Sequence, residues 1–142
     1  MRRLPGTEER RSSRPTGDAG AAVPEFLMVS VLLIFLTVLI VQAALYLYVR
    51  NIVTAAAAEG ARYAADANVD PASGAERAQQ VTGRGTSRSV ADRLPCRGAE
   101  EPGGAGATLD VVRCSGSLPF LFLPGFGVLP IRVQGHAIEE GP

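Results

Sequence analysis

The chain has 142 residues, and 14 arginines with no lysine balance 14 acidic residues, so its formal net charge is zero. A balanced charge provides no broad basic surface, and nucleic acid is therefore not an expected partner. An N-terminal tail and a long apolar run use about the first third of the chain, and the remainder is enough for one small domain.

The N-terminal segment, residues 1–19, is polar and contains five arginines and two prolines. This composition predicts a disordered tail. Phe26–Val49 follows without a single Asp, Glu, Lys, Arg or His. As a helix it would reach roughly 36 Å, enough to cross a hydrocarbon core of about 30 Å. Because five arginines precede the run and only Arg50 and Arg62 follow it closely, the N-terminus is expected in the cytoplasm and the C-terminal part outside the cell membrane.

Two other interpretations of this region involve export. The alanines Ala55–Ala58 resemble the small residues before a signal-peptidase cut. The apolar core of a secretory signal is typically about 7 to 15 residues, however, so the much longer run here favours a retained anchor. Arg10 and Arg11 could belong to a twin-arginine signal, but polar residues follow them where an apolar stretch is needed.

The helical pattern continues past the apolar run, because alanine is the strongest helix former and Ala55–Ala65 is rich in it. We predict one unbroken helix with a membrane segment at residues 21–49 and an extracytoplasmic extension at residues 50–66. Asp66–Gly74 predicts the loop that ends it. A second helix is expected at Ala75–Leu94, with glycines that weaken it.

The C-terminal third contains two predicted strands, Leu109–Cys114 and Ile131–Ile138, which are partly alternating and rich in β-branched residues. The expected fold class is α+β: a long transmembrane and stalk helix followed by a small extracytoplasmic domain, residues 67–142, with a short antiparallel sheet. Leu118–Pro130 between the strands is very apolar, but too short and too rich in proline for a second span. It is either a connection packed on the sheet or stalk, or an exposed apolar lip for a partner or the outer bilayer surface.

Cys96 and Cys114 bracket a glycine-rich stretch after the apolar run. In an extracytoplasmic compartment this arrangement favours a disulfide, which would stabilise the domain by about 3 kcal/mol. Two buried thiols are the alternative. His136 and two distant cysteines do not make a closed ligand set, so no metal is expected.

No enzyme activity and no cofactor are expected. The polar residues that could enter catalysis, Asp110, Ser115, Ser117 and His136, show no spacing that predicts a nucleophile with its base.

The residues before the apolar run have the layout of a type IV prepilin. A cut between Gly20 and Ala21 would make Glu25 the fifth residue of the mature chain and would remove a basic leader, residues 1–20. Glycine lets the backbone enter a peptidase cleft in an extended form. A carboxylate at this position is costly in lipid unless paired, and the α-amino group of an adjacent subunit is an available partner. Alternatively, Glu25 is an ordinary acid in the first turn of a helix.

Two stretches make the chain resemble the TadE-like minor pseudopilins of the tight-adherence (Flp) pilus system. Gly20–Phe26 is similar to the processing site of that family, followed by a glutamate and an aromatic residue. Ala57–Ala64 is similar to its segment past the membrane; the residues concerned are Glu59, Gly60, Ala61, Arg62 and Tyr63. The similarity extends to a C-terminal strand ending near Glu139.

The resemblance implies cleavage after Gly20 by a prepilin peptidase, and then a role in pilus biogenesis through bundling with other pilin-like subunits and the assembly machinery. Pro24 departs from the usual pattern. Proline is tolerated in the first turn of a helix, but it stiffens the backbone four residues past the proposed cut. The alternative function is a membrane-anchored binding module of the cell envelope, in which the helix is only an anchor.

Overall fold

The computed structural model describes residues 22–67, 69–120, 125 and 127–138. Contacts among residues divide the chain into two units, residues 1–37 and 38–142. The predicted α+β class is confirmed: a long N-terminal helix is followed by short helices and a three-stranded antiparallel sheet.

The first helix, α1, is continuous from Ala22 to Ala67. Its sequence has no glycine or proline between Pro24, which lies in the first turn, and Gly60. The loop that follows is shorter than predicted, because the second helix, α2, already begins at Pro71. Asp70 caps that helix by accepting a hydrogen bond from the backbone N–H of Ala72 at 2.8 Å, and proline is well suited to a first helical position.

The predicted second helix at residues 75–94 is in fact two helices. The first, α2, spans Pro71–Gly85, and a short α3 spans Arg88–Asp92. Ser87 starts α3, since its hydroxyl accepts a hydrogen bond from the backbone N–H of Val90 at 3.3 Å. The break therefore follows Gly85, one of the two glycines that weaken the predicted helix.

The sheet has the order β1-β2-β3, with β1 at Cys96–Pro102, β2 at Thr108–Pro119 and β3 at Val128–Ile138. β1 is not predicted from the sequence, because its residues have low strand propensity. The strand forms by pairing along the edge of β2, from Cys96 opposite Cys114 to Pro102 opposite Thr108. Both predicted strands are longer than expected, so the two ends of the apolar segment 118–130 belong to the β2–β3 hairpin; residues 121–124 and 126 lie outside the described residues.

The core of the second unit lies between α1, α2 and the sheet. Its buried side chains are alanines on the helices, except for Val53, and are mostly larger on the strands and the loop before them: Val53, Ala56, Ala57, Ala61, Ala75, Ala78, Leu94, Val112, Cys114 and Ile131. Small side chains let the backbones approach closely. At Gly135, for example, a Cβ would overlap the backbone of Ala57, so β3 lies directly against α1 at this level.

Candidate assembly site along the long helix

The apolar part of α1 is exposed along its length from Val23 to Val41. Most of its large side chains are at least 40% exposed, and Phe26 and Met28 reach 72% and 77%. By length and composition, α1 could span a membrane. A continuous apolar surface of this size needs lipid or other apolar helices around it.

Glu25 lies in the first turn of α1, and its side chain is exposed. The structure shows no ion pair for Glu25 among the residues it describes. This location agrees with both interpretations of the residue, since a first-turn acid and an acid awaiting a partner subunit would lie in the same place. Gly20 and Ala21 are outside the described residues, so the cleavage site stays a prediction.

Gln42 is a buried amide within the apolar run, with only 7% of the residue exposed. It borders a cavity of about 320 Å³ in the second unit. The residues lining this cavity come from α1, α3 and the hairpin: Gln42, Leu45, Tyr46, Val49, Ser89, Val90, Arg93, Leu118, Pro119 and Leu129. Gln42 is not among the residues predicted from the sequence, although an amide in a membrane-length apolar run is a signal that could have identified it.

Two tyrosines connect α1 to the small domain. The Tyr46 hydroxyl donates to the Pro130 carbonyl at 3.1 Å, and the Tyr48 hydroxyl donates to the Gly85 carbonyl at 3.2 Å. Contacts with the small domain therefore begin inside the predicted membrane segment, whereas the helix from Val23 to Val41 keeps its apolar side chains largely exposed.

The segment Ala57–Ala64 divides into an inward and an outward face. Its inward residues, Ala57, Gly60, Ala61 and Ala64, are buried, whereas Glu59, Arg62 and Tyr63 are exposed. Glu59 accepts hydrogen bonds from Arg77 of α2, at 3.1 Å from Nε and 2.8 Å from Nη2.

The closest approach within this region joins Gly60 of α1 to Gly74 of α2. A Cβ on Gly74 would lie 2.5 Å from the Gly60 carbonyl oxygen and 3.1 Å from the Ala64 Cβ, and a Cβ on Gly60 would overlap the Gly74 carbonyl oxygen. Two helices can touch this closely only where neither has a side chain. The inward half of the segment thus fixes α2 against α1, and the outward half leaves Arg62 and Tyr63 available to other molecules.

The structure joins Cys96 and Cys114, which are opposite each other on β1 and β2, in the expected disulfide. Among the described residues, no group of His, Cys, Asp and Glu could hold a metal ion.

The sheet keeps apart the polar residues that could enter catalysis. Asp110 is opposite Ala137, so the neighbouring His136 projects from the other face of the sheet, and Ser115 lies further along β2, opposite Arg132.

These features define a class of protein: one membrane-length apolar helix followed by a small α+β domain. A family model described as TadE-like protein matches residues 20–62. The match includes Gly20, the whole apolar run and the segment through Arg62, and it confirms the resemblance to TadE-like proteins in this part of the chain. That family is associated with Tad pilus-related assembly, and the long apolar helix fits membrane anchoring. No curated protein and no solved structure matches the chain significantly.

Proposed function

We propose that the chain is a pilin-like, single-pass membrane protein that acts in the assembly of a tight-adherence (Flp, type IV-like) pilus or a related surface or secretion apparatus. The main support is the family match at residues 20–62, which includes the proposed processing site, the apolar run and residues 57–62 of the segment beyond it in one stretch. The protein acts by packing its helix against other helices and not by catalysis.

The proposed topology has four parts. Residues 1–20 form a basic leader in the cytoplasm, residues 21–49 cross the membrane, residues 50–66 extend the helix outside, and residues 67–142 form the extracytoplasmic domain. The excess of arginine before the apolar run supports this orientation. The Cys96–Cys114 disulfide supports it as well, since disulfides persist in oxidising compartments outside the cytoplasm.

Glu25 is the proposed assembly carboxylate. A prepilin peptidase cuts after Gly20 and creates a positive α-amino group on Ala21. An unpaired charge costs about 2.5 to 3.5 kcal/mol at the centre of a membrane helix and less towards its ends. Pairing Glu25 with the α-amino group of a neighbouring subunit removes that cost only when the two helices are in the correct register. The exposed apolar side chains of Val23–Val41 then pack between subunits.

The mass of the intact protein, extracted from the membranes of its native host, tests the processing step. Loss of residues 1–20 is the expected result. Loss of everything through Ala55–Ala58 would instead indicate a secretory signal, and would contradict the proposed anchor. A full-length mass would contradict cleavage and leave an unprocessed membrane protein.

Replacing Glu25 tests the assembly step. We expect Glu25→Ala to remain in the membrane fraction after alkaline extraction but to lose surface fibres, because only packing against partners requires the charge. Glu76→Ala is the matched control, since Glu76 is also exposed but lies on α2. Normal fibres in a strain that carries only Glu25→Ala would contradict the pairing. Normal fibres in a strain that lacks the whole protein would favour an envelope binding module.

A further inference from the structure

We propose that the end of the small domain formed by the β2–β3 hairpin docks on the bilayer surface, where nearby arginines bind anionic phospholipid headgroups. This inference rests on the proposed membrane anchoring of α1, but it does not depend on a role in pilus assembly.

Two contacts between α1 and β3 show which end of the domain this is. The Tyr46 hydroxyl bonds to Pro130, and Ala57 lies against Gly135. Eleven residues of helix and five residues of strand both extend about 17 Å, so the two elements run side by side in the same direction. Val128, where β3 begins, is two strand residues before Pro130 and is therefore about level with Gln42, one helical turn before Tyr46.

This end of the domain is apolar. Residues 115–131 contain no ionisable side chain. Val128 is 60% exposed, while Leu118, Phe120 and Leu129 are partly exposed. Because the proposed membrane segment of α1 extends to residue 49, side chains beside Tyr46 would meet the outer part of the bilayer, so lipid is the partner that the position of the hairpin favours.

The charges of the second unit are distributed unevenly along α1. Five exposed arginines lie at the hairpin end: Arg50, Arg84, Arg88, Arg93 and Arg132. Their positions follow from their neighbours. Arg50 is one helical turn beyond Tyr46, and Arg84 and Arg88 lie on either side of Gly85, whose carbonyl accepts the hydrogen bond from Tyr48. Arg93 shares a cavity with Leu118 and Leu129. Arg132 is opposite Ser115 on β2.

Among the described residues, two acids lie beside these arginines: Asp92, the last residue of α3, and Glu76, which lines a surface pocket together with Arg84 and Arg88. The other described acids of the second unit lie towards the opposite end, where they outnumber the four arginines Arg62, Arg77, Arg97 and Arg113: Glu59, Asp66, Asp70, Glu100, Glu101 and Asp110. The hairpin end is thus net positive, and the opposite end is net negative. The described apolar side chains at this end, Leu118, Phe120, Val128 and Leu129, are called the tip here. An apolar tip with cations around it is suited to an anionic bilayer surface, where the tip enters the interface and the cations meet phosphates.

A single tryptophan provides the test, because the chain contains none. The full-length variants Val128→Trp and Ile138→Trp are reconstituted into vesicles of phosphatidylcholine and phosphatidylglycerol with brominated acyl chains. Val128 and Ile138 begin and end β3 and are equally exposed, at 60% and 62%, so they form a matched pair. Docking predicts quenching at least twofold greater for Val128→Trp, together with a blue-shifted emission.

A third variant, Leu33→Trp, reports on anchoring alone. Strong quenching of Leu33→Trp with equal, weak quenching of Val128→Trp and Ile138→Trp would overturn docking and leave the anchor intact. Absence of quenching in Leu33→Trp would overturn the anchor itself. A blue shift of Val128→Trp that grows with the protein-to-lipid ratio, without bromine quenching, would show that a second copy covers the tip, and would also overturn docking.

The role of charge is tested in the Val128→Trp background. Replacing Arg93 and Arg132 together by glutamine, or omitting phosphatidylglycerol, should reduce the bromine quenching at least twofold. The control is Arg62→Gln with Arg97→Gln, two exposed arginines outside the hairpin end, which should leave the quenching unchanged. Equal quenching in both double variants would overturn the assignment of the headgroup contacts to Arg93 and Arg132.

Discussion

Gly60→Ala is a sharp test of how the small domain is held, because two physical effects predict opposite signs. Alanine is the better helix former by about 0.8 to 1.0 kcal/mol, so on propensity alone the change stabilises α1. The added Cβ, however, would overlap the carbonyl oxygen of Gly74 and lie 3.0 Å from the Ala78 Cβ. Neither obstacle is the end of a flexible side chain, so α2 itself must move.

The clash should be the larger effect. Overpacking a close-packed site costs about 1 to 3 kcal/mol, and overlap with backbone belongs at the upper end of that range. After subtraction of the propensity gain, we expect Gly60→Ala to lower the free energy of unfolding by about 2 kcal/mol.

Gly83→Ala is the matched control within α2. The nearest atom to a Cβ on Gly83 is the Ala91 Cβ at 3.7 Å, an ordinary van der Waals contact. Because no clash opposes the gain in helix propensity, we expect Gly83→Ala to raise the free energy of unfolding by about 0.5 to 1 kcal/mol.

Urea unfolding of the full chain in detergent, followed by tyrosine fluorescence, measures these changes. The chain has three tyrosines, and Tyr46 and Tyr48 bond to the small domain, so their emission should report its release from α1. Gly74→Ala should be as damaging as Gly60→Ala, and the double variant should cost less than the sum, since both changes open the same contact. A Gly60→Ala variant as stable as Gly83→Ala would refute the close approach.

The same unfolding assay checks three further expectations. Thr82→Val should raise the free energy of unfolding by about 1 kcal/mol, because the buried Thr82 hydroxyl has no hydrogen-bond partner among the described residues; a loss of stability would indicate a partner. Replacing Cys96 and Cys114 together by alanine should lower the free energy of unfolding by about 3 kcal/mol, and an unchanged urea midpoint would contradict a stabilising disulfide. Arg77→Gln should change it by less than about 1 kcal/mol, because the Arg77–Glu59 ion pair is 38% and 46% exposed; a larger loss would show that the pair matters for packing.

The sequence by itself was sufficient to predict the features that depend on neighbouring residues. The apolar run and the alanine-rich continuation predict one long helix, and α1 is continuous from Ala22 to Ala67. The α+β class and the general position of β2 and β3 follow from local pattern in the same way. The glycine, the acid and the apolar helix of the proposed processing site are also local, and the family match includes all three.

Only the tertiary structure decided which residues join these elements. β1 has low intrinsic strand propensity, so its conformation depends on pairing with the edge of β2. The first residue of β1, Cys96, pairs with Cys114, which is 18 residues further along the chain. Gly60 weakens a helix when considered alone, and its importance comes from Gly74 on another helix. Gln42 is unusual in an apolar run, but its burial depends on α3 and the hairpin. Sequence periodicity indicates which side of a helix or strand is apolar. Which other element packs against that side depends on contacts between residues far apart in the chain.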